Sequence, residues 1–141
     1  EEEKIVAFIV KNNRPIGGEY FGYVAVSPKN KYYRVHYDKM LGIDVHGGEL
    51  SYSAPVVIDA DWYNEYMSFI CDSSNIGKRP ILEGNGKLIE YLTDYKTIED
   101  DWFIFGFDTC HYLDNKENCN REYVVKETLK LMEQLKNKSN E

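Results

Sequence analysis

A chain of 141 residues has the length of one domain, and such a domain buries roughly 70% of its unfolded surface, enough to fold without metal or disulfide staples. Hydrophobic residues at 43% and charged residues at 29% exclude disordered and fibrous classes, and no apolar run approaches the ~20 residues of a membrane span. The net charge of −7 opposes duplex nucleic acid, and three cysteines, Cys71, Cys110 and Cys119, are too few and too odd in number for a disulfide framework, which points to the cytoplasm.

The first element is Lys4 to Val10, apolar on both faces as an inner strand requires. Asn12-Asn13-Arg14-Pro15 and Gly17-Gly18 mark a turn, and Tyr20 to Val26 reads as a second strand hairpinned to the first. Residues 28–42 form a tyrosine-rich polar loop with one helical turn near Tyr37-Asp38-Lys39-Met40. Ile43 to His46 and Leu50 to Ser53 read as two short strands joined through Gly47-Gly48-Glu49. Ala60 to Cys71 suits a short helix capped by Asp59 or Asp61, with Trp62, Tyr66 and Phe69 on one face. Lys87 to Tyr95 is expected as a second short helix. Trp102 to Phe107 is the most apolar run and a central strand, with Phe103, Phe105 and Phe107 on one face and Trp102, Ile104 and Gly106 on the other. The last element, about Arg121 to Lys136, is a helix capped by Asn118 or Asn120, with the stripe Val125, Leu129, Met132 and Leu135. The expected fold is α+β: a mostly antiparallel sheet of five to six strands packed by one long C-terminal helix, with short helices within residues 55–100. Residues 1–136 make a single globular domain and residues 137–141 a frayed tail. The acidic start Glu1-Glu2-Glu3 is unlike the basic start of a signal peptide.

Charge is unevenly spread. Residues 83–117 hold nine acids and three bases, whereas residues 11–39 hold six bases against Glu19 and Asp38. Lys29, Lys31 and Arg34 interleave with Tyr32, Tyr33 and Tyr37, a pattern that can stack a base and hold a phosphate, or anchor a protein surface. Two of the three histidines lie in polar constellations. In Asp44-Val45-His46-Gly47-Gly48 the Asp and His share a strand face, and the glycines allow close backbone approach. In Asp108-Thr109-Cys110-His111-Tyr112-Leu113-Asp114 the acids and the His repeat every three residues, so a helical turn would put them on one side. Asp and His in this pattern suit a divalent ion or acid–base chemistry, with His46, His111 and Asp108 as metal ligands. Cys110 is a weak nucleophile candidate, since an acidic neighbourhood raises a thiol pKa.

Three segments carry a resemblance. Gly22-Tyr23-Val24-Ala25-Val26, then Val45-His46-Gly47-Gly48-Glu49-Leu50-Ser51-Tyr52, then Gly106-Phe107-Asp108-Thr109-Cys110-His111 with Asp114 resemble a family of small uncharacterised phage and bacterial proteins. Its motifs read V-H-G-G-x-x-x-Y and G-F-D-x-x-H-x-x-D. The resemblance implies a phage or prophage setting and adds weight to His46, Asp108, His111 and Asp114, but it implies no reaction. The ligand-binding set expected from residues and resemblance together is His46, Gly47, Gly48, Tyr52, Asp108, His111 and Asp114, with the basic residues Lys29, Lys31 and Arg34.

The expected function is a cytoplasmic accessory protein of phage type that binds a host protein or a small phosphate-bearing ligand, such as a counter-defence inhibitor. A small metal-assisted hydrolase built on His46, Asp108 and His111 is the alternative, and a virion or scaffold component the third. No membrane and no duplex nucleic acid enter any of these readings, and an oligomer is compatible with each. His46 and His111 are expected to approach each other within a domain radius of about 13 Å.

Overall fold

The two β-branched runs that begin the chain pair with each other, and the rest of the sheet is built outward from them. The computed structural model describes residues 4–40, 42–43, 50–83, 88–109 and 114–136. Its strands are β1 (Ile5–Lys11), β2 (Tyr20–Val26), β3 (Tyr52–Pro55), β4 (Ile89–Tyr91) and β5 (Phe103–Phe107). β1 and β2 are antiparallel from Ile5↔Val26 to Lys11↔Tyr20. β5 continues the sheet from Val26↔Phe103 to Gly22↔Phe107. Among the described residues the sheet has five strands in the order β3-β5-β2-β1-β4, all antiparallel, and with the C-terminal helix it makes the expected α+β fold.

Both faces of the sheet are covered. Ile5, Ala7 and Ile9 join one core and Val6, Phe8 and Val10 the other, which explains why the first run carries no polar residue on either face. The phenylalanines of β5 point to the core that holds the C-terminal helix, while Trp102 and Ile104 enter the opposite one. Gly106 sits between Tyr23 and Tyr52 on the neighbouring strands, whose rings meet edge-on at 5.9 Å. A Cβ at Gly106 would overlap the Tyr23 ring and lie 2.9 Å from the Gly22 carbonyl. This glycine is required by close packing, not by its backbone angles.

The long helix (Arg121–Leu135) starts at Asn120, whose side chain accepts the Tyr123 N–H at 3.0 Å. It is α2, since a single turn of α-helix (α1, Ala60–Trp62) precedes it. Its buried face is Val124, Thr128, Leu131 and Leu135, with Met132 beside them, so the stripe is turned by one residue from the expected Val125 and Leu129, which lie half-buried at its margin. Thr128 takes the central place because its hydroxyl donates to Val124 O at 2.6 Å and so needs no water. Gly22 leaves it room, since a Cβ there would overlap the Thr128 hydroxyl and the Phe107 ring. At the far end the buried Asn30 amide donates to Leu135 O at 2.8 Å and accepts the Tyr32 N–H at 2.8 Å. One side chain thus satisfies a last helix carbonyl and ties the 27–39 loop to it.

Three local expectations are corrected. Where a helix is expected over 87–95, the described residues 88–95 supply β4, with Lys11 N–H donating to Leu88 O at 3.0 Å and Leu92 N–H to Ala7 O at 2.8 Å. The open edge of β1 offers those partners, and tertiary pairing overrides a short helical pattern. The strand expected at 50–53 is shifted to Tyr52–Pro55 by its register with β5, Tyr52↔Gly106, and residues 44–49 of the expected hairpin fall outside the described residues. The 60–71 helix is capped by Asp59, which accepts the Trp62 N–H at 2.8 Å, but it widens into a π-turn at Tyr63–Met67. That widening breaks the four-residue spacing. Trp62 is buried and Tyr66 half-buried, whereas Phe69 is 92% exposed. No helix among the described residues is long and apolar enough to cross a membrane.

Candidate functional site

β5 and β3 determine where the two sequence motifs leave the sheet. Ser51 N–H donates to Gly106 O at 3.0 Å and the Ser51 hydroxyl accepts the Asp108 N–H at 2.9 Å. Ser51, three residues after Gly48, is therefore bonded to Asp108, the first acid of the second constellation. His46, Gly47, Gly48 and His111 lie outside the described residues, as does the expected approach of the two imidazoles. Of the three expected metal ligands only Asp108 is described, and among the described residues no group of three His, Cys, Asp or Glu could hold a metal ion.

Around Asp108 the chain is tied tightly. Thr109 is fully buried, its hydroxyl donates to Tyr20 O at 2.8 Å, and its carbonyl accepts the Gly18 N–H at 2.7 Å. Lys116 Nζ donates to both Arg14 O and Gly18 O at 2.8 Å. Asp114 is half-buried and hydrogen-bonded to the Cys119 thiol, which burial and this carboxylate push up to about 11. Tyr52 is a packing residue here. Its phenol is raised well above the ordinary value, chiefly by burial and then by Tyr23.

The basic loop is at the other end of the sheet. Lys29, Lys31 and Arg34 follow Val26, which pairs with Phe103, whereas Asp108 follows Phe107. At ~3.4 Å per residue, β5 alone separates these ends by about 14 Å, more than the ~8 Å Debye length at physiological salt. The Lys31 ammonium lies over the Tyr32 ring at 5.3 Å. Arg34 is committed to a neighbour. With φ 63°, a left-handed conformation rare outside glycine, it places its guanidinium on both oxygens of Asp59 at 2.8 and 3.2 Å and over Trp62 at 5.7 Å. The Arg34 hydrogen bond is the main reason the Asp59 carboxyl is held below its ordinary value, and the Trp62 N–H adds to it. The structure thus joins Asp108 to Ser51, at the end of β5 away from the basic loop.

What the loop does build is an aromatic stack around His36, the histidine that sequence reasoning passed over. The imidazole is stacked on Tyr37 at 4.4 Å and 29° and on Tyr66 at 4.2 Å and 17°. Tyr66 lies 4.3 Å from Trp62, and Trp62 meets Phe103 edge-on at 5.0 Å. A row of rings therefore runs from the surface into the core. The π-turn supplies Tyr66, and the Tyr37 N–H donation to the Ser53 hydroxyl at 2.9 Å pins the other side to β3. His36 Nδ1 is 2.9 Å from the Asp38 carboxylate and 3.3 Å from the Asp38 N–H. Burial and then a Glu65 hydrogen bond push the Tyr66 phenol up.

One turn beyond Tyr66, Phe69 is 92% and Ile70 78% exposed, adjacent large apolar side chains in water at the tip of the helical segment. Rigid rings beside exposed apolar side chains form the kind of surface that anchors a protein partner. The signal available in sequence was His36-Tyr37-Asp38, a histidine with an acid two residues on. Its ring partner Tyr66 is thirty residues away and could not be read from spacing. Comparison with known protein families, with curated proteins and with solved structures finds no match.

Proposed function

We propose that this chain is a small phage- or prophage-type accessory protein that acts by binding, engaging a host protein in the cytoplasm as a counter-defence inhibitor. The observation that carries the binding part is the ring stack His36, Tyr37 and Tyr66 leading to the exposed Phe69 and Ile70. The phage setting rests on the three motif segments quoted above. A phosphate-bearing ligand has weaker support, because Arg34 is paired with Asp59 and the loop that carries Lys29 and Lys31 lies across the sheet from Asp108. Affinity purification from host lysate, with mass analysis of proteins, nucleotides and metals together, tests the reading. A host protein recovered in stoichiometric amount supports it; stoichiometric nucleotide or metal without a protein overturns it.

A second reading, the metal-assisted hydrolase, is favoured by one specific contact, the Ser51–Asp108 hydrogen bond. It brings the flanks of the two histidine motifs together at one sheet end, where His46, Asp108 and His111 would act as ligands or acid–base groups. Stoichiometric zinc, manganese or iron lost on His111→Ala would support that reading.

A further inference from the structure

We infer that the Phe69–Ile70 tip docks into an apolar pocket on a protein partner whose rim carries lysine or arginine side chains, with Asp61, Glu65 and Asp72 meeting that rim. This rests on the binding reading above and adds the chemistry of the partner. Asp61, Glu65 and Phe69 are spaced four apart along the helical segment that the Asp59 cap begins, and Asp72 begins the 3-10 turn Ser73–Asn75 that follows. All three acids are exposed. Several other acids are paired: Asp59 with Arg34, Glu83 and Asp100 with Arg79, Glu90 with Arg121. Among the described residues no basic side chain lies within ion-pair distance of Asp61, Glu65 or Asp72, although the Lys78 ammonium acts on Asp72 from farther away. The two most exposed large apolar residues among the described ones are therefore flanked along the chain by exposed carboxylates.

That charge pattern chooses among the surfaces that could cover the tip. A second copy of this chain meeting tip to tip would bring like acids together, at a net charge of −7 for each chain, and like-charge juxtaposition opposes the contact. An anionic lipid surface or a nucleic acid is repelled for the same reason. A protein pocket rimmed by bases is attracted, is steered toward the tip at low salt, and gains the burial of Phe69 and Ile70 on arrival. The stack behind the tip, fixed to Phe103 through Trp62, holds the π-turn in place, so little ordering is left to be done on binding.

The test uses the full chain with the photo-crosslinking residue p-benzoylphenylalanine in place of Phe69 or, as a control surface, in place of Leu88, irradiated in host lysate. Any protein captured is then purified, and its dissociation constant is measured against the natural chain and against Asp61→Asn/Glu65→Gln/Asp72→Asn, at 50 and 500 mM salt. The Asn at position 72 can still cap its turn, and circular dichroism confirms the fold. Expected are capture from position 69 alone, about 10-fold weaker binding by the neutralised variant at low salt, and near-equal constants at high salt. Constants insensitive to both neutralisation and salt overturn the basic rim, and capture of this chain itself overturns the partner. Capture from position 88 and not 69 overturns the surface while leaving the binding reading standing; capture from neither overturns both.

Discussion

Phe105→Ala removes a fully buried ring from the middle of the central strand. The ring lies 5.0 Å from Phe103 and in the same core as Leu131 and Leu135 of α2. Nothing mobile is beside it to fill the gap, because β2 and β3 pair with β5 on both sides at this position, through Val24 and Ser53. Truncating such a residue costs about 3–5 kcal/mol in lost transfer energy and cavity formation, against a total of about 5–15 kcal/mol for a domain of this size. At about 3–4 °C per kcal/mol the midpoint should fall by about 10–20 °C. Urea titration followed by tryptophan fluorescence reads the change, with an unchanged m-value showing that the same surface is exposed on unfolding. Leu88→Ala, at a side chain 62% exposed, is the control and should stay within about 0.5 kcal/mol. A loss under about 1 kcal/mol for Phe105→Ala would mean that β5 is not the centre of the core.

Gly22→Ala should cost about 1–3 kcal/mol by overpacking against Thr128 and Phe107, and Thr128→Ala in the same chain should recover part of it in a double-mutant cycle by thermal denaturation. Asp59→Asn keeps the Trp62 cap but loses the charge that Arg34 holds. The folded carboxyl is depressed, so its stabilisation is present at neutral pH and fades as pH falls below about 4. The drop in urea midpoint between pH 7 and pH 3 should therefore be smaller in the variant, and an equal drop would refute the pair's role. Cys119, buried and with its thiol pushed up to about 11, should resist maleimide at pH 7.5 until the chain is unfolded; peptide mapping that finds it modified in the native protein would contradict the Asp114 bond.

The elements whose pattern is local were legible in the sequence. Ile5 to Val10 and Trp102 to Phe107 read as inner strands because both of their faces are apolar, and Asn120 announced the helix start. What was not legible depends on partners distant in the chain. Lys87 to Tyr95 reads as a helix alone, yet Ile89–Tyr91 is a strand because β1 has an open edge at Phe8, Ile9 and Val10. Thr128 interrupts an apolar stripe on paper, yet it is the centre of the buried face because Gly22 lies opposite. Of the candidate site, the expected approach of His46 and His111 lies outside the described residues, and the Ser51–Asp108 hydrogen bond was not read from the sequence. The sequence could not foresee that Arg34 would be held by Asp59 or that Tyr66 would cover His36. The π-turn decides which rings face inward, and its wider spacing leaves no mark in a pattern read at 3.6 residues per turn.

The most direct measurement is the dissociation constant of the co-purified host protein for Phe69→Ser/Ile70→Ser beside the natural chain. Both positions are solvent-exposed, so the variant should fold with an unchanged thermal midpoint. If the ring stack and its exposed tip are the binding surface, the variant binds about 30-fold more weakly or worse, the loss typical of removing a central interface anchor. Equal affinity of the two chains would contradict it.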